Sequence, residues 1–152
     1  MPYRVEWIVQ YRVLYIREYD EVSLDDIRHI TRETADLMEE ASRSSAALLI
    51  GIIDLNDAHL GTSLPIFSLG LDEIAAAVDP RMWKARLGFV ALITTTEVVR
   101  DMTAFVISRS RQPLTTVASL DEALLIVRYM YPELQAQLNT YRDRNLSYGN
   151  HS

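Results

Sequence analysis

Ala46-Ala47-Leu48-Leu49-Ile50-Gly51-Ile52-Ile53 is the stretch on which the fold turns. No polar residue interrupts it, Ser44-Ser45 precede it, and Asp54 follows it. A run this short, without alternation, predicts a strand covered on both faces, as in the middle of a parallel sheet. Phe89-Val90-Ala91-Leu92-Ile93 has the same character and predicts a second buried strand. Ile50, Ile52, Val90 and Leu92 are therefore the expected centre of the core. A crossover between parallel strands needs a dozen or more residues, which the intervening segment supplies.

Working toward the N-terminus, Ser23 with Asp26 three residues on predicts a capped helix start. Ile27, Ile30, Thr34, Leu37, Met38 and Ala41 recur at helical spacing, giving an amphipathic helix over 23–42. Before it, Val5, Trp7 and Val9 alternate with other residues, and Val13 to Tyr19 is rich in β-branched and aromatic side chains. A break at Gln10–Arg12 makes these two strands an antiparallel hairpin.

Toward the C-terminus, Leu55 to Gly70 reads as a long connection and Leu71 to Val78 as a short helix. Thr94-Thr95-Thr96 offers caps for a further helix, and Leu114 to Val117 is a short strand. Ser119-Leu120-Asp121-Glu122 starts a last helix, which Pro132 allows to continue through Leu138. Residues 142–152 are polar and read as a flexible tail. The expectation is one α/β domain over 1–141: a mixed sheet, an opening antiparallel hairpin, and helices mainly on one face.

Composition narrows the function classes. Among 152 residues there are 15 basic and 21 acidic side chains and no cysteine. The first 76 residues carry 14 of the acids against six arginines, so the N-terminal half is strongly acidic. An acidic surface repels phosphate backbones, which argues against nucleic-acid binding. No apolar run reaches the 18 residues a spanning helix needs, so no membrane insertion is expected. Without cysteine there are no disulfides, thiolate metal sites or thiol nucleophiles, and a cytoplasmic setting fits. The five glycines form no phosphate-cradling spacing, and His29, His59 and His151 form no metal pair, so neither cofactor nor metal is expected.

The opening hairpin, the helix SLDDIRHITRETADLMEEA, the strand LLIGIIDL and the ending QPLTTVASLDEALLIV together resemble the STAS-type domain, in its SpoIIAA-like branch. The resemblance covers residues 3–132 and implies the anti-sigma-factor antagonist fold. Phosphate-regulated members place an acceptor serine soon after an Asp-Leu-Ser strand end. Here Asp54-Leu55 is kept, but Asn56 stands where that serine would be, with Thr62 and Ser63 further on. A kinase-regulated switch is therefore not implied.

Two groups of residues stand out as candidate sites. Asp54, Asn56, Asp57, His59, Thr62 and Ser63 follow the buried strand, where open α/β sheets bind ligands. The same residue types also cap turns, and both readings stand at this point. Tyr11, Tyr15, Arg17 and Tyr19 alternate along the second strand, with Trp7 across the hairpin, and make either an ordinary packed face or a homodimer interface. The sequence reading is a non-catalytic cytoplasmic interaction or regulatory module, a homodimer with a protein partner. Its alternative is a small apolar-ligand or lipid binder with a pocket near residues 55–83.

Overall fold

Tyr3–Val9 (β1) and Val13–Glu21 (β2) form the expected hairpin in the computed structural model, which describes residues 3–59, 71–95, 97, 100–101 and 113–149. Gln-Tyr is poor chemistry for a two-residue turn, and the chain uses three residues instead. Tyr11 takes a φ of 60°, and the Arg12 amide donates to the Val9 carbonyl at 3.0 Å. A left-handed residue is what lets a three-residue turn follow the twist of its strands.

Helix α1 spans Leu24–Ser44. Its start is the capping box the sequence encodes: Ser23 Oγ accepts from the Asp26 amide at 3.1 Å, and Asp26 Oδ2 accepts from the Ser23 amide at 2.8 Å. The stripe Ile30, Thr34, Met38 and Ala41 is buried against the sheet. Strand β3 then runs Leu49–His59, followed by α2 (Leu71–Ala77), a 3-10 turn at Pro80–Lys84, and β4 (Leu87–Ile93). Strand β5 (Leu114–Val117), helix α3 (Leu120–Met130), a 3-10 turn at Pro132–Leu134 and helix α4 (Gln135–Gly149) complete the order. The helix expected after Thr94 falls largely outside the described residues.

The five strands lie in chain order, β1-β2-β3-β4-β5, with the hairpin antiparallel and every later neighbour parallel. This is the expected mixed α/β sheet. Ile50, Ile52 and Leu92 are wholly buried and Val90 nearly so, at 3 % exposure. On one face, Leu14 packs with Met38 and Ala41, and Ile16 with Ile30, so α1 covers the hairpin and β3. On the other face, Val13, Tyr15, Ile50, Ile52, Phe89, Ala91 and Ile93 meet Ala123, Leu124, Val127, Leu134, Leu138 and Tyr141.

That second layer is where the structure departs from expectation. A sheet laid down in one direction brings the chain to the β5 edge, and α3 and α4 travel back across the face that the earlier helices leave open. Tyr141 Oη reaches β1 and donates to Glu6 Oε1 at 3.0 Å. The segment read as a tail from residue 142 is instead helical to Gly149, continuing a helix whose Leu138 and Tyr141 are core residues.

Glu18 of β2 carries a pH dependence. Burial pushes its carboxyl up to about 7, and the Asp26 carboxylate on α1 adds to the shift. An acid with a raised folded-state value keeps its proton in the native state after the unfolded chain has released it. Stability from this group is thus highest below the ordinary glutamate value of about 4.3 and falls as pH rises toward 7. Glu18→Gln is expected to stabilise the protein at pH 8 by on the order of 1–3 kcal/mol and to change little at pH 4. Denaturant titrations at both pH values check this, and an equal effect at the two would contradict the assignment.

Candidate functional site

The carboxyl ends of β2, β3 and β4 gather the polar side chains. Strand β3 does not stop at Asp54 as its composition suggests. The continuing backbone of β2 supplies partners, and the ladder runs on through Tyr19 opposite Asp57, Asp20 opposite Ala58 and Glu21 opposite His59. Asp54, Asn56, Asp57 and His59 therefore sit in a strand, not in a loop.

A bulge decides which way they face. Arg17 lies opposite Asp54, but the next paired position is Tyr19 opposite Asp57, so β3 holds one extra residue over that step. An extra residue breaks the strict two-residue alternation of a strand. Asp57, which alternation counted from Asp54 puts on the other face, is thereby brought to Arg17. The Arg17 Nη2 donates to Asp57 Oδ2 at 2.6 Å, with the two side chains 45 % and 56 % exposed. The Asp57 carboxylate holds the Arg17 guanidinium above its usual range. The Tyr19 ring lies 5.9 Å from the Arg17 guanidinium carbon, a cation–π distance.

Beneath this exposed pair is a buried one. Tyr15 Oη donates to Asp54 Oδ2 at 2.6 Å, and the Asn56 amide donates to Asp54 Oδ1 at 3.1 Å. Burial first, and the bond to Asp54 second, hold the Tyr15 phenol far above its usual value, so it stays a donor. The Asn56 side chain meanwhile donates to the Ala118 carbonyl at 2.9 Å, tying β3 to the turn that starts α3. Ser119 caps that helix, its Oγ accepting from the Glu122 amide at 3.2 Å.

Of the six expected site residues, the structure brings together Asp54, Asn56 and Asp57. His59 is placed by its backbone at the end of β3, opposite Glu21. Thr62 and Ser63 lie outside the described residues, as does most of the 55–83 segment's central part. No group of three or more histidine and carboxylate side chains suited to a metal ion occurs among the described residues.

The five aromatic and arginine positions of the hairpin do not form one face, which corrects that expectation. Trp7 lies opposite Leu14 and packs on the α1 side, its ring edge-on to Tyr11 with centroids 5.8 Å apart. Tyr11 leaves the alternation because it is the left-handed turn residue, and its Oη donates to Glu40 of α1 at 3.2 Å. Tyr15 is 6 % exposed under α3 and α4, so its own chain covers it. Arg17 and Tyr19 belong instead to the carboxyl-end cluster. Sequence reasoning missed that link because the bulge and the return of the last helices leave no local signal.

No family model matches this chain, and no solved structure does. Over 113 residues it is 28 % identical to indole-3-glycerol phosphate synthase of Lactiplantibacillus plantarum, a match spanning 73 % of this chain and 43 % of that protein. The chain thus spans less than half the length of the curated relative it matches. The likeness is to an enzyme, and it overturns the expectation of a protein without catalysis. No helix among the described residues is long and apolar enough to cross a membrane.

Proposed function

We propose that this chain is an enzymatic domain whose working surface is the carboxyl end of β2 and β3, taking a small molecule that bears an anionic group beside hydroxyls. The observation that carries this reading is the exposed Arg17–Asp57 pair standing on the buried Tyr15–Asp54 pair. Arg17 offers a planar set of donors suited to a phosphate or carboxylate. Asp57 is an acceptor for hydroxyl groups, and Asp54, anchored by Tyr15 and the Asn56 amide, fixes the strand ends that present them. The position agrees with the general placement of ligands in open α/β sheets. The likeness to indole-3-glycerol phosphate synthase, whose name carries a phosphate on a glycerol chain, supports the same ligand chemistry.

Thermal shift and amide NMR with glycerol 3-phosphate and indole-3-glycerol phosphate test the reading. Binding is expected to move the Arg17, Asn56 and Asp57 resonances, and Arg17→Ala is expected to abolish it while leaving the fold intact. Ligands that move no resonance of the folded protein overturn the proposal. Binding that is unchanged in Arg17→Ala overturns this choice of site.

A second reading is a STAS-like regulatory domain that docks a protein partner at the same end of the sheet. Its support is the element order behind the resemblance: opening hairpin, helix, buried strands, a short strand and a capped helix follow one another as in that group. Cross-linking from Asp57 to a protein partner, with no small-molecule binding, favours this second reading over the first.

A further inference from the structure

Strand β1 is a seven-residue edge, and among the described residues no strand pairs with its outer side. An open edge offers a row of unpaired amides and carbonyls, and natural proteins blunt such edges or use them. We infer that β1 pairs with β1 of a second copy of this chain, antiparallel and two-fold symmetric, in a register centred on Val5.

Two-fold symmetry restricts the choices severely. When one strand pairs with its own copy across an axis perpendicular to the sheet, the axis passes through one residue, which then faces itself. Centring on Arg4 sets two arginines opposite each other, and centring on Glu6 sets two glutamates opposite each other. Like charges in directly opposed positions destabilise a sheet. Centring on Val5 sets Arg4 opposite Glu6 of the second copy, Glu6 opposite its Arg4, and Tyr3 opposite its Trp7. Charge complementarity therefore selects a single register among the three central ones.

The side chains are available for it. Arg4 is 66 % exposed, and its present partner is Glu6 of the same strand, at 3.0 Å. That contact joins residues two apart on one face, so the exposed Arg4 can turn outward to Glu6 of a neighbour, whose other oxygen accepts from Tyr141. Val5 and Trp7 pack under α1 yet stay only partly buried, as befits side chains with nothing beyond them on the edge. Strand β5 at the opposite edge has only four residues and gives a shorter ladder. Pairing β1 with β1 joins two five-stranded sheets into one of ten strands and leaves the carboxyl-end cluster of each copy open.

Analytical ultracentrifugation with circular dichroism tests the inference on the full chain. The wild type is expected to sediment as a dimer whose dissociation increases with salt. Arg4→Glu places two like pairs across the axis and is expected to raise the dissociation constant about ten-fold or more while the chain stays folded. The doubly reversed Arg4→Glu/Glu6→Arg restores the opposite pairing and is expected to recover the dimer. Glu6 also accepts from Tyr141, so a second readout, amide exchange of β1, separates edge exposure from loss of fold: β1 amides are protected in the wild type and exchange faster in Arg4→Glu. A monomeric wild type, or a dimer indifferent to Arg4→Glu, overturns the inference.

Discussion

Tyr15→Glu is expected to unfold the chain. Tyr15 is 6 % exposed among Ile50, Ile52 and the apolar faces of α3 and α4, and its Oη lies 2.6 Å from Asp54 Oδ2. The substitution replaces a donor with a second carboxylate in a site that already holds one. Uncompensated buried charge costs several kcal/mol, a sizeable share of the roughly 5–15 kcal/mol that holds a domain together. Tyr15→Phe keeps the ring and removes only the donor, leaving Asp54, among the described residues, with the Asn56 amide. That change is expected to cost about 1–3 kcal/mol, the usual penalty for a buried acceptor stripped of its partner. Circular dichroism and urea unfolding distinguish the two variants. A Tyr15→Glu protein that stays folded and keeps wild-type stability would show that the phenol is not a core group.

Ile52→Ala follows in size. Ile52 is fully buried in β3, between β2 and β4 in the plane of the sheet and against the α3–α4 layer above it. Packed on every side, the site has little room to collapse, and the expected cost is on the order of 2–5 kcal/mol from lost burial and the cavity left behind. Urea midpoints at a constant m-value measure it. A loss below about 0.5 kcal/mol, the range of ordinary surface changes, would remove Ile52 from the core.

What the sequence made legible was local. The run around Ile50 and Ile52 announced a buried central strand because no solvent face interrupts it. Ser23 with Asp26, and Ser119 with Glu122, announced their helix starts because capping needs only three residues of context. What stayed hidden depends on distant partners. Nothing in Asp54-Leu55-Asn56-Asp57 indicates a strand, and only the long β2 beside it makes one. The bulge that turns Asp57 toward Arg17 is a property of the pair of strands and of neither alone. Tyr15 and Arg17 alternate as an interface would, but the layer that buries Tyr15 arrives more than 100 residues later, in helices α3 and α4. The candidate site was thus half visible: its acids were found, while its tyrosine and arginine were assigned to another purpose.

The sheet grows one strand at a time in the order in which the chain is written, and this bears on how the protein forms. Each new strand has only the preceding crossover to close, so loop-closure entropy accumulates in small steps. Topologies with mostly short-range closure fold faster than those that interleave distant strands. Strands β1 to β3 and helix α1 precede β4 in the chain, so α1 is at hand to cover one face of the early sheet, while the other face waits for α3 and α4. A far longer reach belongs to the hydrogen bond from Tyr141 to Glu6, which joins residues 135 apart and spans nearly the whole domain. A clasp absent from the folding transition state slows unfolding and leaves folding unchanged, so Tyr141→Phe is expected to speed unfolding, a rate that denaturant-jump kinetics measure. The molecule assembles from its beginning and is locked from its end.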